Sequence, residues 1–358
     1  MSVEEATEVI QYEVNGPVAT IWFNRPEVKN CVNWDLLMGL GALLERAEND
    51  DDVRAVVIRG RGNTFCAGAD LNMLDSQFLG TTNQSVKIAQ ISARTVDFGA
   101  SDAPMTPAQF SACNGCVQIP WALTATVVAT NIPGFKTLKL TGPVLAKIYL
   151  GQITNWNDPA IRALNKGKSL PNLAITPVYR SDGSGDTYVI TDYLSRVSST
   201  WKSQVGNATT VSFPKGVGGK GNDGVTAVVG STSGAIGYVS AYYAIQHNLG
   251  VASLKNKAGK FILPNLSNIK AAGATVRSLP SNNEMHIVNP PKRAKKAYPM
   301  STFTYVIVPV ASPNADALKK FINYATTLGQ RFGAALDFQT IPTVVKNAAA
   351  RTTATLHT

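Results

Sequence analysis

The chain has 358 residues, 44% of them hydrophobic and 16% charged, with a formal net charge of +10. This composition provides core material for two or three domains and excludes a disordered chain, and the lack of any apolar run of about 18 residues excludes a transmembrane helix. The charge is unevenly divided: residues 1–80 hold 13 Asp+Glu and 6 Lys+Arg, the remainder 10 and 27, so a boundary is expected near residue 80.

Residues 8–24 alternate through Val9, Tyr12, Val14 and Val18–Phe23 around Asn15-Gly16, which predicts a β-hairpin ended by Pro26. Residues 34–48 carry Leu36, Leu37, Leu40, Leu43, Leu44 and Ala47 at helical spacing, with Asn33 or Asp35 placed to cap. Val53–Ile58 reads as a short buried strand, and Gly60–Gly68 as a loop. From about residue 86 the texture changes. Strand-like runs at 122–129, 175–179, 235–239 and 303–310 alternate with helical stretches at 186–197 and 315–333, an α/β pattern.

Several features carry little chemistry. Cys113 and Cys116 have redox or half-zinc spacing, but His247, His286 and His357 are distant in sequence. Two half-buried cysteines near a strand are expected, with no metal and no cofactor. The cluster Lys292-Arg293-Ala294-Lys295-Lys296 lies between prolines and reads as a solvated loop; other basic residues are dispersed, so no nucleic-acid partner is expected. Lys215–Val225 is glycine-dense, a weak nucleotide signal alone.

Two segments select an anion. In Thr95–Pro104 a short strand ends at Gly99, and Ser101-Asp102 precede Pro104, which favours a helix start. In Val178–Thr187 a strand ends in Arg180 and a Gly/Ser turn feeds a helix opening near Asp186. Free N–H groups and the helix dipole converge at such a turn. By itself Asp102 reads as a helix N-cap.

Val18–Pro26, Asn30, Val53–Ile58 and Phe65–Leu71 together resemble the enoyl-CoA hydratase/isomerase (crotonase) family over residues 10–75. The resemblance makes Ala69 one half of an oxyanion hole. The second donor and the acid/base carboxylates do not follow, so Ala69 is a vestigial donor, Asp70 and Asp75 are structural or surface carboxylates, and no enzymatic activity is expected.

Residues 88–345 resemble the periplasmic phosphate-binding protein of the phosphate ABC transporter. The motifs are the two anion segments, Val127–Gly134, Ile148–Trp156, Gly219–Asn222, Gly234–Tyr238 and Tyr298–Thr302. This implies an α/β, two-lobed periplasmic binding protein fold that closes on one inorganic phosphate, with an ABC transporter permease as partner. The implied phosphate-binding residues are Asp102, Arg180, Ser184, Gly185, Ser101, Thr187 and Asp182. Asp102, acceptor-only when ionised, would accept from a P–OH and repel sulfate. Arg180 would donate, Asp182 would orient it, and Ser184 and the Gly185 N–H would donate. Where the family carries a threonine donor the chain has Asp186, a helix cap on this reading, with Thr187 or a backbone N–H donating instead.

The family's opening strand, loop, helix and Gly-Ser turn are replaced by the crotonase-like sequence, and Ser85 is the nearest donor to the lost turn. The expected organisation is 1–80 crotonase-like; 81–130 and 301–358 an incomplete first lobe with a gap or open sheet edge; and 131–300 an intact second lobe. Phosphate binding impaired by the missing segment is the expected function, with a crotonase enzyme or a non-functional fusion as alternatives. The resemblance implies a periplasmic location. Met1–Glu5 lacks an apolar stretch, so no secretory signal is expected and the chain as written starts in the cytoplasm.

Overall fold

A computed structural model describes residues 9–66 and 84–358. The chain divides into two compact units, Met1–Gly80 and Thr81–Thr358. Among the described residues no helix is long and apolar enough to cross a membrane.

In the first unit, β1 (Ile10–Asn15) and β2 (Val18–Phe23) form the predicted hairpin, with Gly16 at φ +57° in its turn. Helix α1 (Trp34–Glu48) is capped by Asn33, whose side chain accepts from the Leu36 N–H at 2.9 Å. Leu36, Leu43 and Ala47 are buried in one core with Ile10, Tyr12, Ala19 and Ile21. β3 (Ala55–Gly60) pairs in parallel with β2 and completes the sheet β1-β2-β3. Asn30 sits in the left-handed region, and its buried amide accepts from the Arg25 N–H and donates to the Arg61 and Thr64 carbonyls, tying the loops together. The buried strand expected over 53–58 is instead an exposed edge: Val56, Val57 and Ile58 are 37–41% exposed. Among the described residues β3 has a strand partner on one side only.

The second unit is built on β5 (Cys116–Thr130), which serves two sets of strands. Its first part, Cys116–Ala125, pairs antiparallel with β12 (Ser301–Pro309), which also pairs with β4 (Gly99–Ser101). Its last part, Thr126–Thr130, pairs antiparallel with β9 (Ala235–Ser240). β9 continues in parallel to β7 (Thr176–Arg180) and then β8 (Val217–Gly219), while β10 (Gly250–Lys255) flanks β5 and carries β6 (Thr137–Leu140) and β11 (Phe261–Ile262). The partner change falls between Ala125 and Thr126.

Among the helices that frame this unit are α2 (Pro107–Cys113), α3 (Gly142–Tyr149), α4 (Gly185–Val197), α5 (Gly221–Ser231), α6 (Ala315–Thr326) and α7 (Thr343–Ala354). Helix α2 begins at Pro107, not near Pro104. Thr106 and Gln109 form a reciprocal capping box there, satisfying two end N–H groups. Cys113 and Cys116 are buried and joined by a disulfide, so the expected pair of half-buried cysteines is corrected. The helical stretch expected to 333 ends at Thr326 and continues as a 3-10 segment, Leu328–Leu336. Beside it lies a groove of about 290 Å³ lined by Trp121, Phe321, Tyr324, Phe332 and Phe338.

Candidate anion site

β7 delivers Arg180 and the following turn delivers Asp182, Ser184 and α4. Arg180 is 8% exposed. Its Nε and Nη2 donate to the two Asp182 oxygens at 2.8 and 2.5 Å, a bidentate pair. Asp182 Oδ1 also accepts from the Gly221 N–H at 2.9 Å, so the start of α5 fixes the orienting carboxylate. The Arg180 backbone N–H donates to the Tyr238 hydroxyl at 3.0 Å. Burial opposes the Arg180 charge, but the Asp182 bonds and the nearby Asp186 and Asp182 carboxylates outweigh it and hold the guanidinium more firmly protonated than usual.

Ser184 is the N-cap of α4, its Oγ accepting from the Asp186 N–H at 3.1 Å, which leaves its own hydroxyl proton to donate outward. Asp186 is not a cap. It is 3% exposed and accepts from Thr126 Oγ1 at 2.6 Å and from Asn222 Nδ2 at 3.1 Å, and its Oδ2 lies 3.8 Å from Arg180 Nη1. Thr187 is 1% exposed, and its Oγ1 lies 2.7 Å from the Tyr238 hydroxyl.

The other side of the site comes from β4. Asp102 does not cap a helix, since α2 starts five residues later. Its Oδ1 accepts from Thr304 Oγ1 at 2.6 Å and its carbonyl from Thr302 Oγ1 at 3.0 Å, both on β12. Ser101 Oγ accepts from the Ala103 N–H at 3.1 Å and so shapes the turn. A Cβ on Gly185 would stand 2.7 Å from Asp102 Cβ and 2.9 Å from its N. Glycine alone lets the N-terminus of α4 approach this carboxylate so closely. Asp102, Arg180, Asp182, Ser184 and Gly185 thus lie together at one helix N-terminus, an arrangement of backbone donors and a guanidinium that suits an anion. Ala69, Asp70, Asp75 and the Ser85 side chain lie outside the described residues.

Thr126, Asn222, Tyr238 and Thr304 shape this site and were not singled out for roles in the sequence. Only Asn222 and Tyr238 carried a signal, lying within motifs of the resemblance.

The chain matches the PBP superfamily domain over residues 45–327, beginning within the first unit and well before residue 88. A phosphate-binding protein PstS of Pasteurella multocida is 40% identical over 258 residues, 71% of this chain and 74% of that protein. The chain belongs to the phosphate-binding protein PstS family. A PstS of Xylella fastidiosa is 37% identical over 260 residues, covering 71% of each chain. A solved high affinity periplasmic phosphate-binding protein, bound with phosphate, aligns over 81% of this chain and 87% of its own at a TM-score of 0.61 and 18% identity, a likeness in fold. The fold is the α/β periplasmic binding protein fold of that family.

The tyrosines packed in the second unit give a pH prediction. Burial, then the Asp192 charge, pushes Tyr188 up to about 12. Burial likewise raises Tyr149, Tyr193, Tyr238, Tyr298 and Tyr305 well beyond their ordinary range. The folded values exceed the unfolded value near 10, so this stability is fully present below about pH 10 and is lost as pH rises through the folded values. Chemical denaturation of the full chain at pH 9 and pH 11 should show a marked loss at the higher pH; equal stability would mean that these hydroxyls can ionise in place.

Proposed function

We propose that the chain binds inorganic phosphate at the Asp102–Arg180–Ser184–Gly185 site, as the substrate-binding component serving an ABC transporter permease. The observation that carries this reading is the buried Arg180–Asp182 pair at the N-terminus of α4, with Asp102 packed against Gly185. Arg180 supplies charge, Ser184 and the N-terminal N–H groups of α4 supply donors, and Asp102 supplies an acceptor that only a protonated oxyanion can satisfy. Phosphate keeps a P–OH near neutral pH and sulfate does not, so Asp102 rejects sulfate by an unpaired, repulsive contact.

On this reading residues 131–300 form one lobe, residues 81–130 with 301–358 form the other, and the lobes close on the anion about β5 and β12. The first unit is a crotonase-like fragment standing where relatives have their opening strand and helix. Its hairpin, helix and parallel third strand support that likeness, and the aromatic groove beside Trp121 and Phe321 supports a first lobe short of some packing. We assign it no catalysis. The described periplasmic location of the solved relative supports the same compartment for the phosphate-binding unit.

Calorimetric titration of the full chain with phosphate, with sulfate as control, tests the reading. Saturable binding of phosphate alone is expected. Asp102→Asn should admit sulfate, because an amide can donate where the carboxylate repels. A folded sample giving no heat with phosphate would reduce the family membership to ancestry.

A further inference from the structure

We propose that a lysine-rich patch on the second unit is a docking surface for an anionic phospholipid bilayer. Residues 251–300 hold nine Lys+Arg against a single acid, Glu284, whose carboxylate lies 2.7 Å from the His286 ring nitrogen. The cations are scattered in sequence and gathered by the fold. Asn256 is 7% exposed, and its Oδ1 accepts from the Ala258 and Lys260 N–H groups, which closes the turn between β10 and β11. Its Nδ2 donates to the Lys295 carbonyl at 3.0 Å and to the Ala297 carbonyl at 3.3 Å. One buried amide thus clamps the hairpin turn onto the loop before β12, and brings Lys257 and Lys260 together with Lys292, Arg293, Lys295 and Lys296. All six are exposed, and among the described residues none makes a side-chain hydrogen bond or ion pair.

Like charges held together without counter-charge repel one another, so the arrangement costs stability until an anion meets it. Its chemistry favours a charged surface over a shaped ligand. Five of the six are lysines, compact hydrated charges on flexible stems, where recognition of a single oxyanion favours anchored guanidinium forks. Neither turn, residues 256–260 or 291–297, contains an aromatic residue on which a nucleobase could stack. Neither exposes a large apolar residue, so the contact is with headgroups and stays reversible. The choice of a membrane as the source of negative charge rests on the proposed role beside a membrane-embedded permease. Each lysine near an anionic leaflet adds to the attraction, and together they would hold the chain at the surface where phosphate is handed over.

Co-sedimentation of the full chain with vesicles, in phosphate-free buffer, tests this. Binding to vesicles of phosphatidylcholine with phosphatidylglycerol, and not to phosphatidylcholine alone, is expected, and it should be lost as added salt shortens the screening length. Lys257→Glu with Lys260→Glu, and separately Lys295→Glu with Lys296→Glu, should each weaken binding about tenfold or more. Lys202→Glu with Lys320→Glu takes the same charge from exposed helix positions outside the patch and should leave binding nearly unchanged. Each variant should keep the parent's response to phosphate, which separates this surface from the anion site. No vesicle binding at low salt, or binding that the patch reversals do not move, overturns the proposal. Retention on poly-glutamate or single-stranded DNA without vesicle binding gives the patch another partner and overturns it equally. None of the vesicle outcomes depends on phosphate binding.

Discussion

Replacing Arg180 with methionine should abolish measurable phosphate binding, with an affinity loss on the order of 1,000-fold. In the proposed site the guanidinium is the cation that would meet the anion, and its fork is held on Asp182 in a fixed geometry. Removing it takes away the charge that meets the anion and leaves Asp182 and Asp186 as buried carboxylates without their cation. The same variant should therefore lose about 3–5 kcal/mol of stability, the usual cost of breaking one side of a buried pair. Two further variants separate the effects. Arg180→Lys keeps the charge but not the fork, and should fall between. Arg180→Met with Asp182→Asn should recover part of the stability while recovering no binding. Calorimetry with phosphate and urea denaturation of each variant check this. Binding by Arg180→Met within tenfold of the parent would remove Arg180 from the site.

Gly185→Ala should lower both phosphate affinity and stability. The first turn of α4 accepts alanine without strain, since Gly185 is not in the left-handed region, and alanine is the better helix former. Against that small gain, the overpacking that the new Cβ forces should cost about 1–3 kcal/mol of stability. The new Cβ would overlap Asp102 Cβ, N and Cα at 2.7, 2.9 and 3.0 Å, and two of these atoms are backbone. Neither side can yield by a rotamer change, so Asp102 and the helix must stand further apart. Phosphate affinity should drop by about a hundredfold, with a lowered melting temperature beside it. An unchanged affinity would show that Asp102 is not held against α4 in the bound state.

How much of this could be read from the sequence depends on whether a feature is local. The hairpin, α1 with its Asn33 cap, and the Arg180–Asp182 pair all rest on spacings of a few residues, and local chemistry decides them. The helix start near Pro104 was misjudged because Thr106-Pro107 with Gln109 provides a complete capping box three residues on, which outweighs a proline signal alone. The expected burial of Val53–Ile58 fails because a β-branched run looks the same in a central strand and at an edge; whether anything covers it is decided elsewhere in the chain. Thr126, Asn222, Tyr238 and Thr304 lie outside both anion segments, and only the sheet topology brings them to Asp186, Arg180 and Asp102. The Cys113–Cys116 disulfide is a third case: the spacing allowed several chemistries, and burial beside β5 leaves the pair packed as core.

The change of partners along β5 also bears on how the second unit melts. One continuous strand supplies ladder hydrogen bonds to both strand sets, so neither can unravel without stripping half of β5 and exposing the other's central edge. Two structurally separate halves would then share a single heat-absorption peak, and amides on either side of Thr126 would exchange with solvent at one common rate set by global unfolding.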